Sequence, residues 1–122
     1  MQRNPLIAVV DDDPGMCDAI AELLEVLDFE SARFSCAEDF LADLIQRRFD
    51  CLVSDVRMPG IDGYELGRRV AALATELPVI FVSSSDVELT RVRALGTGRA
   101  FLRKPLDADE FKRQVDNALG RI

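Results

Sequence analysis

Short apolar segments alternate along this chain with segments in which apolar residues recur every three or four positions. Runs such as Leu6–Val10 (LIAVV) have no polar face, which is typical of strands that are buried on both sides of a sheet. The segments between these runs have the spacing of amphipathic helices. Strand–helix alternation favours a parallel sheet that is covered on both faces through right-handed connections. We therefore expect an α/β domain with a doubly wound, five-stranded parallel sheet and five helices.

The sequence also predicts where the elements begin and end. Strands are expected over residues 6–10, 29–34, 50–55, 78–83 and 100–103. Helices are expected to open at Asp13-Pro14 and after Ser35, and over 64–73, 86–95 and 107–119. Asp13 and Ser35 are expected N-caps, because a short polar side chain can accept a hydrogen bond from the first turn. The apolar stripes of the third and fourth helices predict two buried faces, formed by Leu66, Val70 and Leu73, and by Val87, Val92 and Leu95.

The composition excludes several classes of protein. The 122 residues suffice for a single domain over 1–122 with its own core, and 48% of them are apolar, which argues against disorder. The formal charge is −7 and there is no Lys/Arg-rich run, so direct binding of nucleic acid is not expected. The sequence contains no histidine. A histidine-based triad and a histidine-ligated zinc site are therefore excluded.

The cysteines and the N-terminal region favour a reducing compartment inside the cell. Cys17, Cys36 and Cys51 are odd in number, lie far apart and lack CxxC spacing. We expect buried or half-buried free thiols in a reducing compartment. The apolar run near the N-terminus is too short for a signal peptide or a membrane span. The sequence thus predicts a soluble, cytoplasmic protein with no membrane partner.

Polar side chains follow the apolar strands at their carboxyl ends. These are Asp11-Asp12-Asp13 after the first strand, Asp55 at the end of the third, Ser83-Ser84-Ser85 at the fourth and Arg103-Lys104-Pro105 at the fifth. In open α/β sheets the carboxyl ends of the strands form the edge where ligands bind. Clustered carboxylates repel one another, and Mg²⁺ relieves this repulsion while keeping waters for phosphate oxygens. The pattern indicates a carboxylate nucleophile that accepts a phosphoryl group beside a metal ion and a lysine.

Four motifs, VVDDD, LVSDVRMPGIDG, PVIFVSSSD and FLRKPL, together resemble the receiver domain of bacterial two-component response regulators. The resemblance extends from about Leu6 to Leu119 and implies a flavodoxin-like fold with strand order 2-1-3-4-5. It also implies a phosphorylation switch. A sensor histidine kinase would phosphorylate an aspartate, and the phosphorylated domain would dimerise or bind a partner or output domain. The protein would not otherwise be an enzyme, since it would catalyse only its own phosphoryl acceptance and autodephosphorylation.

The resemblance implies which residues form the acceptor and metal site. Asp55 would be phosphorylated. Mg²⁺ would be bound by Asp11, Asp12, Asp55 and the backbone carbonyl of Arg57. Asp12 would contact the ion directly, and Asp11 mostly through water.

The resemblance also implies which residues respond to the phosphoryl group. Ser83 and Lys104 would bind it, and Phe101 would be the aromatic residue that swings inward on activation. The side chain of Arg57, together with Ser85, would tune the rate of dephosphorylation. The peptide bond between Lys104 and the proline after it would be cis.

Three other functions can be compared with the residues: a phosphohydrolase, a nucleotide-binding domain and an inactive interaction module. An aspartyl phosphohydrolase usually has a general acid two residues after its nucleophile, where this chain has Arg57, which cannot donate a proton usefully near neutral pH. A nucleotide-binding domain would have GxGxxG or GxxxxGK[ST], and neither motif is present. An inactive, receiver-like interaction module would have the fold without the chemistry.

The resemblance places the signalling surface on the fourth helix, fifth strand and fifth helix. If phosphorylation produces a homodimer, this face is expected to mediate it. Two departures from the family pattern lie nearby: Ser84 stands where Ala or Gly is frequent, and RALGTGRA at 93–100 replaces an Ala-Gly-Ala run. No output domain is expected within this chain, which is either a stand-alone receiver or part of a longer DNA-binding regulator.

Overall fold

The computed structural model of the protein describes residues 4–74 and 76–121. Its strands are β1 (Leu6–Val10), β2 (Glu30–Phe34), β3 (Cys51–Asp55), β4 (Val79–Ser83) and β5 (Ala100–Arg103). Its helices are α1 (Pro14–Val26), α2 (Ala37–Leu44), α3 (Gly63–Leu73), α4 (Asp86–Ala94) and α5 (Ala108–Ala118). Each predicted element is present in the predicted order, with ends that differ by no more than one residue.

The five strands form one parallel sheet in the order β2-β1-β3-β4-β5. This confirms the doubly wound α/β fold and its predicted strand order. The chain passes from β1 to β2 on one side and then returns to β3 on the other side of β1, so the direction of winding reverses there. In open α/β sheets ligands bind at the carboxyl ends of the strands that flank such a reversal. The fold therefore predicts a ligand site at the carboxyl ends of β1 and β3.

Helices cover both faces of the sheet and form two cores. Ala8 and Val10 of β1 pack with residues of α2, α3 and α4, whereas Ile7 and Val9 pack with residues of α1 and α5. All four side chains are fully buried. Successive residues of a strand point to opposite faces, so a strand between two cores has no polar face. Burying each Val or Ile side chain contributes about 1.5–3 kcal/mol.

Helix starts show which predicted N-caps are correct. The side chain of Asp13 accepts hydrogen bonds from two backbone N–H groups in the first turn of α1, which confirms this cap. The predicted cap at Ser35 is wrong, because α2 begins at Ala37 and Cys36 occupies the cap position without a side-chain hydrogen bond. Ala37 and Phe40 are fully buried. Packing of α2 against the sheet, rather than a polar cap, therefore determines where this helix begins.

Three apolar residues that were expected in buried faces are exposed. Leu73 is 60% exposed, Val87 59% and Leu95 48%, whereas Leu89 and Val92 are buried. Leu73 is the last residue of α3, and Leu95 follows the last residue of α4. Both therefore lie beyond the turns that pack on the sheet. Val87 is two positions from the buried Leu89, and residues two apart lie on different faces of a helix.

The three cysteines are free thiols, as predicted. Cys17 and Cys51 are buried, and Cys36 is partly exposed. Burial raises the pKa of the Cys51 thiol to about 12. Within residues 4–74 and 76–121, none of the helices combines the length and the apolar character needed to span a bilayer.

Candidate functional site

Three carboxylates meet at the carboxyl edge of the sheet, where the winding reverses. Asp11 and Asp12 follow β1, and Asp55 is the last residue of β3. One carboxylate oxygen from each residue lies within 4.8 Å of the other two. Asp11 is 1% exposed, Asp55 is partly buried and Asp12 is exposed. The pairing of β1 with β3 thus brings together acids that are more than forty residues apart in the chain.

The ammonium group of a lysine that follows the edge strand β5 lies against these carboxylates. The Nζ atom of Lys104 lies 3.0 Å from Oδ2 of Asp11 and 3.5 Å from Oδ2 of Asp55. The Lys104 side chain is only 14% exposed. Lys104 directly follows β5, and the peptide bond after it is cis, as the resemblance implies. Asp11, Asp55 and Lys104 therefore share one ion-pair network.

Burial raises the pKa of the Asp55 carboxyl above its ordinary value. The Lys104 ammonium is the strongest opposing influence, and the Asp11 carboxylate raises the pKa further. The backbone N–H of Val56 donates to Oδ1 of Asp55 at 2.8 Å and favours the ionised form. Because the net direction is upward, Lys104 does not fully compensate the charge of Asp55. Additional positive charge at this edge would stabilise the ionised carboxylate.

Ser83 ends β4, the strand beside Asp55. Asp55 pairs in register with Val82, so Ser83 lies one residue further along that neighbouring strand. Ser83 is 4% exposed, and its Oγ accepts a hydrogen bond from the N–H of Ser85 at 3.0 Å. The Oγ of Ser85 in turn accepts from the N–H of Glu88 and caps α4. A serine hydroxyl that accepts one bond can still donate its own hydrogen, so Ser83 retains a donor for an anion.

A family model described as the response regulator receiver domain matches residues 7–116. The chain belongs to the response regulator receiver family. Receiver domains of this family belong to two-component regulators, and their standard function is a phosphorylation switch.

Two curated relatives illustrate the match. The transcriptional regulatory protein FixJ of Bradyrhizobium diazoefficiens is 38% identical over 115 residues, which cover 93% of this chain and 56% of FixJ. The C4-dicarboxylate transport transcriptional regulatory protein DctD of Rhizobium meliloti is 33% identical over 119 residues, which cover 97% of this chain and 26% of DctD. The receiver described here thus spans about half the length of FixJ and about a quarter of DctD.

Solved receiver structures have the same fold. A structure of FixJ-N is 26% identical, with a TM-score of 0.87 over 99% of this chain and 98% of that chain. The BeF3-activated receiver domain of DrrB is 29% identical, with a TM-score of 0.85 over 98% of this chain and all of that chain.

Receiver domains bind Mg²⁺ at an acidic pocket, and the residues of this chain fit such an ion. Mg²⁺ prefers oxygen ligands and is usually held by one or two carboxylates while it keeps several waters. The carboxylate of Asp12 is exposed, so a hydrated ion could approach it from solvent. The raised pKa of Asp55 has the sign expected of a carboxylate that needs a further cation.

Phe101, which the resemblance predicts to be the aromatic switch residue, is partly buried in β5. Its ring stacks on that of Phe81, its register partner on β4, with centroids 6.1 Å apart and planes 14° apart. The guanidinium of Arg93 lies 4.5 Å from the centroid of the Phe101 ring. A Cβ added to Gly98 would lie 2.8 Å from Cε1 of Phe101 and 2.7 Å from Cδ2 of Phe81. The ring is thus held by Phe81, Arg93 and the close approach of Gly98.

The side chain of Arg57 forms an ion pair with α4. Its Nε lies 3.1 Å from Oε2 of Glu88, and the two side chains are 66% and 13% exposed, respectively. The hydroxyl of Tyr64, on α3, donates to the other carboxylate oxygen of Glu88. Sequence reasoning identified Arg57 but missed Glu88 and Tyr64. The spacing of Ser85 and Glu88 is that of a capping box and could have marked the start of α4, but no local pattern predicts the contacts with Arg57 and Tyr64.

Proposed function

We propose that Asp55 of this receiver domain accepts a phosphoryl group from a sensor histidine kinase. The observation that carries the proposal is the setting of Asp55, a carboxylate at the end of a buried strand. It lies 3.5 Å from the Lys104 ammonium and is grouped with Asp11 and Asp12. This arrangement provides a nucleophile, an ammonium group and oxygen ligands for a metal ion in one place.

The transfer step is a displacement at phosphorus. A carboxylate oxygen of Asp55 attacks the phosphorus atom, a P–O bond forms, and the P–N bond to the kinase histidine breaks. The Val56 N–H holds the Asp55 carboxylate in one orientation through its bond to Oδ1. The Lys104 ammonium then pairs with a phosphoryl oxygen. Positioning and electrostatic stabilisation therefore supply most of the catalysis, as in phosphoryl transfer generally.

The metal ligands we propose are Asp11, Asp12, Asp55 and the backbone carbonyl of Arg57. When bound, Mg²⁺ supplies positive charge that reduces repulsion between the carboxylates and the phosphoryl oxygens. The orientation of Asp11 is set before any ion binds. Its Oδ1 accepts from the N–H of Asp13 at 3.0 Å, and its Oδ2 accepts from Lys104.

Ser83 and Phe101 would transmit the effect of phosphorylation at Asp55 to the surface of the domain. Ser83 would donate its hydroxyl hydrogen to a phosphoryl oxygen and move away from the N–H of Ser85, which it contacts in the structure. Ser85 caps α4, so this movement reaches the first turn of that helix. Phe101 would then turn toward the space that Ser83 leaves. Phosphorylation would thereby shift a pre-existing equilibrium toward the active form.

Hydrolysis would return the switch to its resting state. Water would attack the acyl phosphate, regenerate the Asp55 carboxylate and release inorganic phosphate. The side chains of Arg57 and Ser85 would tune the rate of this autodephosphorylation. We propose no further reaction for the receiver itself.

The output would pass through the face formed by α4, β5 and α5. Val87 is exposed on α4, and charged residues such as Arg91 on α4 and Asp109 on α5 permit pairing between two copies. Exposed ion pairs contribute only about 0.2–1 kcal/mol each, so they would set the register of a homodimer more than its affinity. Sedimentation that does not change after complete phosphorylation would contradict this dimer.

The relatives suggest what the output controls. FixJ and DctD are named as transcriptional regulatory proteins. We propose that this receiver, taken as one unit over 1–122, acts on transcription through an output domain or partner rather than by contacting nucleic acid. Because response regulators are typically cytoplasmic, we place the switch in the cytoplasm.

Intact mass spectrometry after incubation with acetyl phosphate and Mg²⁺ tests the acceptor. Wild-type protein should gain about 80 Da, the mass of one phosphoryl group, and Asp55→Asn should gain nothing. Equal modification of both proteins would move the chemistry to another residue. No modification of folded, Mg²⁺-binding wild type would favour an inactive interaction module.

A further inference from the structure

Glu88 connects three elements around the acceptor loop. Its carboxylate receives Arg57 from the loop after β3 on one oxygen and the Tyr64 hydroxyl from α3 on the other. Glu88 itself lies in the first turn of α4, and its side chain is only 13% exposed. A largely buried carboxylate with a partner on each oxygen has a defined position. The Arg57 side chain, in contrast, is 66% exposed, so its guanidinium has open solvent on one side in which to reorient.

A phosphoryl group on Asp55 would present Arg57 with a second anion. Arg57 is two residues from Asp55, and residues two apart lie within about 7 Å of each other, which an arginine side chain can span. A guanidinium binds phosphoryl oxygens in a charge-assisted, often bidentate manner. The contact with Glu88 uses the Nε atom. A bidentate phosphoryl contact that also uses Nε cannot form while that ion pair is kept. The two anions would therefore compete for one cation.

We propose that Glu88 is a positioning residue that competes with the phosphoryl group on Asp55 for Arg57. The inference rests on the proposed role of Asp55 as the acceptor. Coupling between two binding events is reciprocal. If a phosphoryl group or its analogue at Asp55 weakens the contact between Arg57 and Glu88, then loss of that contact must strengthen binding of the same group at Asp55. Release of Glu88 would also free the first turn of α4 from the acceptor loop.

The test measures equilibrium affinity for beryllofluoride in the presence of saturating Mg²⁺, because this phosphoryl analogue activates the DrrB receiver. Calorimetry gives the affinity for wild type, Glu88→Gln, Arg57→Met and the double variant. Gln keeps the shape of Glu88 and an acceptor for Tyr64 but loses its charge. Glu88→Gln should bind about two- to fivefold more tightly, because solvent at the exposed Arg57 screens the ion pair and keeps its strength near that of surface pairs. Arg57→Met should bind more weakly, and Glu88→Gln should have no effect in the Arg57→Met background.

Asp86→Asn is the matched control. Asp86 also lies in the first turn of α4 and forms an ion pair of the same 3.1 Å length, but with Arg103 on β5. This variant tests whether any charge loss at the start of α4 changes affinity, and it should leave the affinity unchanged. Tyr64 is the only tyrosine and there is no tryptophan, so tyrosine fluorescence reports directly on the hydroxyl that contacts Glu88. Its emission should change as beryllofluoride binds to wild type and change little in Arg57→Met.

The outcomes separate the two proposals. An unchanged or weaker affinity in Glu88→Gln, or the same tightening with and without Arg57, would overturn the role of Glu88 and leave Asp55 as the acceptor. If wild type bound no beryllofluoride, or bound it as well as Asp55→Asn does, the acceptor proposal and this inference would both fail.

Discussion

Replacement of Asp55 by asparagine should stabilise the metal-free protein at neutral pH. An Asp55 oxygen lies 3.5 Å from the Lys104 ammonium and within 4.8 Å of oxygens of Asp11 and Asp12. At an effective dielectric constant of about 20, the attraction is about 4.7 kcal/mol and each repulsion is about 3.5 kcal/mol or more. Solvent screens the repulsion from the exposed Asp12, so the attraction to Lys104 and the remaining repulsion from the two carboxylates nearly cancel. The cost of burying the charge is then left uncompensated.

Asparagine removes the cost of burying a charge and keeps the side-chain oxygen that accepts the backbone hydrogen bond. Its side-chain oxygen can still receive the N–H of Val56, which contacts Asp55 at 2.8 Å. Lys104 retains Asp11 as a partner at 3.0 Å. We expect the free energy of unfolding to rise by about 1–2 kcal/mol, which is a large change for one residue of a small domain.

The effect should depend on pH in a defined direction. Burial raises the pKa of Asp55, so the folded protein binds this proton more readily than the unfolded chain does. Wild-type stability from this group is therefore greatest in acid, and it falls as the pH rises from the ordinary carboxyl range through the raised pKa. The advantage of Asp55→Asn should be absent below about pH 3.9, the usual pKa of aspartate, and should grow as the pH rises through the raised pKa.

Urea unfolding followed by circular dichroism, with a chelator present, measures this difference. Asp18→Asn is the control, since it removes an exposed carboxylate that pairs with Arg33 and should change stability by less than about 0.5 kcal/mol. Added Mg²⁺ should stabilise wild type more than Asp55→Asn, because the ion binds the folded state of wild type more tightly. A metal-free Asp55→Asn that is less stable than wild type at neutral pH would refute the reasoning.

Three further predictions concern other residues. Lys104→Met leaves two largely buried carboxylates without their ammonium and should lower the free energy of metal-free unfolding by about 3 kcal/mol; an unchanged urea midpoint would argue against the network. Gly98→Ala overpacks the two stacked phenylalanine rings and should cost about 1–3 kcal/mol, measured by thermal unfolding; a variant as stable as wild type would contradict this. Alkylation of native protein should modify Cys36 alone, because burial protects Cys51 and raises its pKa to about 12; peptide mass mapping that finds modified Cys51 would show that the core opens.

Local patterns predicted most of the fold. The strands lie between two layers of helices, so they are apolar on both faces and stand out in the sequence, as at Leu6–Val10. The prediction failed where packing set the details. Ser35 has the chemistry of a cap, yet burial of Ala37 and Phe40 places the start of α2 one residue later. Leu73 continues an apolar stripe but lies at the end of α3, where no layer covers it.

The grouping of the site residues was also predictable, because parallel strands place their carboxyl ends at one edge of a sheet. Asp11, Asp12 and Asp55 could be assigned to that edge once the strands were recognised. Lys104 could be assigned there as well, although its distances to two of these acids could not. The direction of the pKa shift of Asp55 depends on how burial balances against Lys104, and burial is a property of the folded chain.

The sequence by itself thus determined the α/β class, the order of elements and the membership of the acidic site, because these follow from periodicity and from strand ends. Only the tertiary structure decided which side chains from different elements contact each other. Glu88 meets Arg57 and Tyr64 because α3, α4 and the loop after β3 pack at particular distances and rotations, and Phe101 stacks on Phe81 because β4 and β5 pair in this register. Such contacts depend on the relative placement of several elements at once, and a local pattern contains no information about that placement.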